Sequence, residues 1–143
     1  MALNLVPSAL SQPWSQKARL LNADSTNAKT IATAGFTNSQ SAPTKVFAVV
    51  ACNNDTIAHD IQLGVLDATL GFVPMGTATV PVNAGFLGTV PAVNILALIG
   101  GLPLDETGQP YFFMQPTGTL QVKALVAVTS GKEVDFIVQG ADF

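Results

Sequence analysis

The chain has 143 residues, a length that suits one domain with an ordinary hydrophobic core. Its net charge of −3 comes from only 10% charged residues, and the six basic residues are scattered along the sequence. Because binding to phosphates requires clustered Lys and Arg, this distribution argues against a nucleic-acid partner. Cys52 is the only cysteine, which excludes an internal disulfide framework, and its apolar surroundings indicate a small buried hydrophobic residue.

The composition predicts an unusually neutral surface. Hydrophobic residues make up 48% of the chain and charged residues lie far below the usual ~25%, so small and uncharged polar residues must cover most of the exterior. A neutral exterior does little to keep copies apart, which favours a subunit of a permanent assembly. The N-terminus lacks the basic and apolar regions of a secretory signal. The longest apolar stretch without proline, residues 92–102, is too short to span a bilayer, and no membrane partner is expected.

The first segment, residues 1–27, is predicted to be an extended N-terminal arm, since it contains prolines and small polar residues without a clear hydrophobic period. Within it, residues 18–22 are predicted to form a short first strand. Trp14 has two alternatives that the sequence leaves open: an anchor docked on a neighbouring subunit, or a cap on the domain's own core. The remaining residues, 28–143, are predicted to form one domain.

Strand and turn signals alternate through the first part of this domain. Residues 29–34 read as a strand, and residues 45–52 form a nearly continuous apolar run that predicts a central strand. The Asn and Asp residues at 53–56 are typical of a turn. Residues 57–65, with His59 on the apolar side, are therefore expected to pair with 45–52 as an antiparallel hairpin.

An uncharged region follows. Two short strands are predicted at residues 69–74 and 77–82. The next loop places Phe86 and Leu87 among glycines, and we expect these side chains to form a subunit contact because nothing in the sequence indicates what else would cover them. The stretch 89–101 has proline in its first turn and glycines at its end, which predicts one short helix.

Three strands are predicted to close the chain, at residues 111–114, 119–128 and 133–139. In the last of these, apolar residues alternate with polar ones, which predicts one buried face and one wetter face. Glu133 and Asp135 lie on the wetter face and are interpreted as edge charges that discourage wrong strand pairing. About eight short strands with one helix predict an all-β fold, an antiparallel β-sandwich or jelly roll.

Few side chains converge on a catalytic or metal-binding pattern. His59 is the only histidine, so a multi-histidine zinc centre has no ligands, and a hydrogen bond to the backbone beside the core is its simplest role. A Ser-His-Asp arrangement is not excluded by counting, but no nucleophile motif supports it. The acidic residues at 105–108 resemble a turn more than a calcium loop. No phosphate-binding glycine motif is present, and we expect no enzymatic activity, cofactor or metal.

Three segments of the C-terminal part carry a resemblance to known proteins. They are PAVNIL from residue 91, GLPLDETGQPYFFMQPTGTLQV from residue 101, and VTSGKEVDFIVQGADF from residue 128. Together they resemble jelly-roll cement or head-decoration proteins of tailed bacteriophages, with LPLDETGQPY and QGADF as the most specific parts. The resemblance covers a little over a third of the chain.

This resemblance implies a virion protein that is made in the host cytoplasm and binds the outer surface of the assembled capsid. It implies homodimers or homotrimers that bridge subunits of the major capsid protein through non-covalent contacts. For this function the expected contact residues are Trp14, Phe86 and Leu87. An alternative is a tail, fibre or adhesion module that binds a host glycan or another structural protein, although a single Trp and a single Tyr offer few aromatic contacts for a sugar.

Overall fold

The computed structural model describes residues 12–35 and 43–142, and these form two antiparallel sheets with a shared core. The five-stranded sheet has the order β1-β9-β3-β6, with β7 also paired to β3, and the four-stranded sheet has the order β2-β8-β4-β5. The predicted β-sandwich with one short α-helix is thus confirmed. Its elements are β1 (Gln12–Leu20), a 3₁₀ turn (Asn22–Asp24), β2 (Lys29–Thr33), β3 (Thr44–Asn53), β4 (His59–Asp67), β5 (Gly71–Val80), β6 (Val93–Asn94), α1 (Ile95–Ile99), β7 (Phe112–Met114), β8 (Thr119–Ala124) and β9 (Val134–Asp142).

The core lies between the sheets and is built by alternation along their strands. In β9, Val134, Phe136 and Val138 are buried, while the residues between them are on the wetter face, as predicted. Ile61 and Leu63 of β4 are fully buried on the facing sheet. Burying one such side chain contributes about 1.5–3 kcal/mol, so this shared layer is a major source of stability.

Part of the expected N-terminal arm belongs to the five-stranded sheet. β1 pairs with β9 along its whole length, from Gln12 opposite Asp142 to Leu20 opposite Val134. The strand predicted at residues 18–22 therefore begins six residues earlier, at Gln12, and ends at Leu20. Proline at position 13 argued against a strand, because proline has no N–H to donate, although an outer strand tolerates proline. Residues 1–11 of the predicted arm lie outside the described ranges.

The hairpin predicted between residues 45–52 and 57–65 is wrong, because the two strands lie in different sheets. β3 pairs with β9, β6 and β7, whereas β4 pairs with β5 and β8. The connection between them crosses from one sheet to the other. Asn53 secures the crossing, since its buried amide Nδ2 lies 2.9 Å from the carbonyl oxygen of Ile57 and 3.3 Å from that of Val80.

The strand β5 is one continuous element, so the prediction of two strands at residues 69–74 and 77–82 is wrong. Its register with β4 shifts between Leu63 and Gly64, which leaves Met75 without a partner as a bulge. Because Gly76 follows Met75 at this bulge, the sequence suggested a turn between two strands. A bulge interrupts the ladder at one residue without ending the strand.

Two other boundaries differ from the prediction. The helix begins at Ile95 rather than at residue 89, because the Asn94 side chain caps it by accepting the N–H of Leu96 at 3.2 Å. β8 ends at Ala124, four residues before the predicted end at position 128. Within the described part of the chain, no helix has the length and apolar character needed to cross a membrane.

The interpretation of Glu133 and Asp135 as edge charges is wrong, because β9 lies between β1 and β3. Asp135 forms an ion pair with Arg19 on the adjacent β1, with Nε and Oδ1 2.7 Å apart. Glu133 accepts a hydrogen bond from Asn54 Nδ2 at 3.1 Å. Both carboxylates therefore link neighbouring segments instead of protecting a free edge.

Candidate functional site

The side chains of Asp55 and His59 form a buried pair at the crossing between the two sheets. His59 Nε2 lies 2.7 Å from Asp55 Oδ2, and neither side chain has any exposed surface. The partner of His59 is thus a carboxylate, and the predicted backbone hydrogen bond is wrong. The other ring nitrogen, Nδ1, is buried and no described residue hydrogen-bonds to it.

Hydrogen bonds keep the Asp55 carboxylate ionised. Burial raises its pKa, but hydrogen bonds from Thr129, His59 and Thr56 outweigh this effect and hold the pKa below the usual value. Because an ionised carboxylate only accepts hydrogen bonds, His59 Nε2 carries the hydrogen. The Thr129 N–H also donates to Oδ2 at 2.8 Å, so the pair ties the β3–β4 crossing to the connection after β8. A substrate cannot reach either side chain in this arrangement, which indicates a structural role.

Asp105 and Cys52 are two further titratable groups with local structural roles. Asp105 Oδ1 accepts the N–H groups of Thr107 and Gln109 at 2.8 and 2.9 Å, which confirms the predicted turn. The bond from Gln109 is the main reason that the pKa of Asp105 is lowered. Burial raises the pKa of the Cys52 thiol, so it is a poor nucleophile at neutral pH. Across residues 12–35 and 43–142, no group of three His, Cys, Asp or Glu side chains is placed to hold a metal ion.

Apolar side chains are exposed at both ends of the sandwich. We call the end at which β3 leads into β4 the loop end, formed by residues 54–58, 81–92 and 125–133. We call the opposite end, formed by residues 65–73 and 113–119, the groove end. The loop end exposes several large apolar side chains: Ile57, Phe86, Leu87, Leu125 and Val126. Clustered apolar exposure of this kind is typical of surfaces that contact a partner.

The backbone of the 81–92 connection holds Phe86 and Leu87 outward. Ala84 is fully buried, and its carbonyl oxygen accepts the N–H of Asn53 at 2.9 Å. Asn83 has a positive φ of 64° and its carbonyl oxygen accepts the N–H groups of Phe86 and Leu87 at 2.9 and 3.2 Å. With the loop fixed in this way, Phe86 remains 48% exposed and Leu87 52% exposed.

Gly85 allows this loop to lie against the five-stranded sheet. Its φ is +78°, and a Cβ atom there would lie 2.4 Å from the sulfur of Cys52. Only glycine permits both this conformation and this close approach. The half-buried Cys52 is therefore a packing surface for the loop, while Phe86 and Leu87 beside Gly85 stay exposed.

The groove end carries an apolar groove of about 570 Å³ between the β4–β5 turn and the β7–β8 connection. Asp67 Oδ1 accepts the N–H groups of Thr69 and Leu70, each at 2.8 Å, and this fixes the turn. Leu70 is 75% exposed and Leu66 is 47% exposed at the groove. The lining includes Val65, Leu66, Leu70, Val73, Phe113 and Pro116. The turn thus holds apolar surface open to solvent.

The structure separates the three predicted contact residues. Phe86 and Leu87 lie at the loop end and are exposed, as expected from their place among glycines, and their role in a contact stays a prediction. Trp14 is only 7% exposed and its Nε1 donates to Asp142 Oδ1 at 2.8 Å, so it caps the domain's own core, one of the two alternatives. Its role in a contact between subunits stays a prediction.

Sequence reasoning missed the groove. Leu66 lies between the strands predicted at residues 57–65 and 69–74, and Leu70 lies within the second of them, while the opposite wall comes from residues 113–119, more than forty positions later. The available signal was Leu70 beside Gly71, a large apolar residue at a turn, which is the same pattern that pointed to Phe86. No local pattern could show that the two walls meet.

Comparisons with known proteins assign no family. No protein-family model matches the chain, and no curated protein matches it. A comparison with solved structures gives a chain from the cryo-EM structure of an extra small virus (XSV) virus-like particle from the giant freshwater prawn, Macrobrachium rosenbergii. That chain is 10% identical with a TM-score of 0.38, and the match covers 98% of this chain and 82% of the other. Likeness at this level does not bear on the function of this chain.

Proposed function

We propose that this protein is a structural component of a virion that binds the outer surface of a phage capsid and cements subunits of the major capsid protein. The observation that carries the proposal is the exposed apolar tip of the 81–92 connection, with Phe86 and Leu87 held outward by a buried anchor at Ala84. The resemblance of residues 91–143 to head-decoration proteins supports the same function. On this proposal the protein acts through buried contact area and has no catalytic role.

The neutral composition also supports a protein that works in many copies. With 10% charged residues, the chain has little charge to desolvate when its surface is covered. Each copy needs only modest affinity, because neighbouring contacts on a closed lattice add avidity. We expect Phe86 and Leu87 to contribute directly to binding. Large apolar side chains that become fully desolvated at the centre of an interface usually contribute most of its affinity.

Co-sedimentation with capsids assembled without this protein tests the proposal. We expect the purified protein to sediment with such heads, and Leu87→Asp to weaken binding by roughly tenfold or more, because a carboxylate would be buried without a partner. Leu98→Asp is the matched control, since Leu98 is 54% exposed on α1, outside the 81–92 connection. Absence of binding at every salt concentration would contradict the proposal, as would equal effects of the two variants.

A further inference from the structure

We propose that the groove between the β4–β5 turn and the β7–β8 connection is a docking site for residues 1–6 of the same chain. The contact is intramolecular, with the groove as the receiving surface and the N-terminal segment as its occupant. It goes beyond the proposed function, because it concerns how the protein covers its own apolar surface and needs no capsid.

The groove presents apolar surface that a folded domain usually covers. Leu70 is 75% exposed, Phe113 57% and Leu66 47%, and all three line the same cavity of about 570 Å³. Among the described residues of the lining, Asp67 is the only charged one, and its Oδ1 accepts two backbone N–H groups. This surface therefore fits an apolar and uncharged occupant.

The start of β1 brings the N-terminal segment to the same end of the sandwich. Gln12 is opposite Asp142 of β9. Asp142 is also opposite Thr44 of β3, which in turn is opposite Met114 of β7. These four residues form one row across the five-stranded sheet, and Met114 lines the groove. Because β1 runs from this row toward the loop end, the chain that precedes Gln12 leaves the sheet at the groove end.

The length of the segment matches the distance that it has to cover. Neighbouring strands lie about 4.8 Å apart, so the three steps from β1 to β7 span roughly 14 Å. An extended chain covers about 3.3 Å per residue, so roughly five residues reach from Gln12 to Met114. Residues 7–11 supply this connection, and residues 1–6 remain to fill the groove.

The sequence of the segment suits the lining. Residues 1–11 contain no charged side chain, and the first six include Leu3, Leu5 and Val6. In an extended segment, Leu3 and Leu5 share one face and Asn4 lies on the other. Docking thus places leucine side chains against the apolar lining, leaves the Asn4 amide in water, and buries no unpaired charge.

The covalent connection to β1 favours this segment over a separate molecule. A short flexible tether holds its end at an effective concentration of about 1 mM. Another copy of the protein with the same apolar surface reaches that level only at a comparable protein concentration. The tethered segment therefore occupies the groove first, and once docked it shields this end of the sandwich from association with other copies.

Thiol labelling of full-length cysteine variants tests the docking. We expect the thiol of Leu70→Cys to react roughly tenfold or more slowly than that of Leu98→Cys. The described residues alone predict the opposite order, because Leu70 is 75% exposed and Leu98 is 54% exposed. The wild-type protein gives the background from Cys52. Adding Leu5→Asp to Leu70→Cys should bring its rate close to that of Leu98→Cys, because the groove offers a buried carboxylate no partner.

Asn4→Asp is the matched control for Leu5→Asp. It places the same charge on the outer face of the segment and should leave the slow labelling of Leu70→Cys unchanged. Leu66→Cys repeats the measurement at a second position of the groove, and circular dichroism of each variant excludes unfolding as the cause of a changed rate.

Four outcomes would overturn the docking. Equal labelling of Leu70→Cys and Leu98→Cys would show an open groove. Slow labelling that Leu5→Asp does not relieve, or that Asn4→Asp relieves equally, would assign the groove to a different occupant. Slow labelling that depends on protein concentration would show that another copy fills it. Because no capsid is present, these results are independent of co-sedimentation with heads.

Discussion

The two ends of the sandwich present apolar side chains on supports of different kinds. At the loop end, buried polar side chains bond the backbone of three connections, with Asn53 and Asp55 at the centre. At the groove end the turn is fixed by one exposed carboxylate, Asp67, which accepts two N–H groups. The loop end is therefore sensitive to the loss of single buried polar atoms, whereas the β4–β5 turn at the groove end depends on an exposed carboxylate.

This difference has a physical cause in the fold. The loop end contains the crossing between the sheets, where the chain leaves one hydrogen-bonded ladder and enters another. Backbone groups that lose ladder partners there are buried, and each needs another partner. At the groove end, β4 and β5 are adjacent strands of one sheet, so a short turn suffices. The comparison predicts that substitutions with similar chemistry have larger effects at the loop end than at the β4–β5 turn.

The largest expected effect is at Asn53. We expect Asn53→Ala to lower the free energy of unfolding by about 4 kcal/mol, because the carbonyl oxygens of Ile57 and Val80 lose a buried donor and a cavity remains. Urea denaturation measures the change. Asn27→Ala, at an exposed asparagine, is the control and should stay within about 0.5 kcal/mol of the wild type. Similar losses in both variants would refute the special role of the crossing.

Glycine substitutions compare the two ends directly. Gly85→Ala should destabilise the protein by about 3 kcal/mol, since the new Cβ would meet the Cys52 sulfur and the φ of +78° is unfavourable for alanine. Gly71→Ala at the groove end should cost about 1 kcal/mol, because φ is +80° but no atom lies within 4 Å.

Gly88→Ala is the control for both glycine variants, with open space and no positive φ, and should change stability by less than about 0.5 kcal/mol. The expected order of destabilisation is Gly85→Ala, then Gly71→Ala, then Gly88→Ala, measured by thermal or urea unfolding. An equal cost at positions 71 and 85 would show that the packing against Cys52 is unimportant.

We expect low pH to lower the stability of the protein by protonating Asp55 at the loop end. Its pKa in the folded protein lies below the unfolded value of about 3.9, so its contribution to stability is complete above about pH 4 and is lost as the pH falls further. We expect Asp55→Asn to lower the free energy of unfolding by about 2 kcal/mol at pH 7 and to reduce its pH dependence below pH 4. Asp60→Asn changes an exposed carboxylate and serves as the control. An unchanged acid profile in Asp55→Asn would contradict this assignment.

Structural features that depend on neighbouring residues could be predicted from the sequence. Features that depend on contacts between distant segments could not. Alternation along residues 133–139 correctly gave the buried face of β9, and the glycines around Phe86 correctly indicated exposed apolar residues. The composition of residues 53–56 is compatible with a hairpin turn and with a crossing between sheets. Only partners such as the carbonyl oxygen of Val80, 27 residues away from Asn53, distinguish the two. The groove was missed for the same reason, because its walls are far apart in the sequence.

The smallest expected effect is at Arg19. It tests whether an exposed polar contact at the loop end stabilises the protein less than a buried one does. Arg19 and Asp135 form a close pair, but the arginine side chain is 57% exposed, so solvent and salt screen the attraction. We expect Arg19→Ala to lower the melting temperature by about 1 °C or less at low salt, and the difference to vanish at about 1 M salt. Lys17→Ala, on the same strand and also exposed, is the matched control. A large loss that persists at high salt would mean that this pair supports the fold as Asn53 does, and that burial does not decide which polar contacts stabilise the loop end.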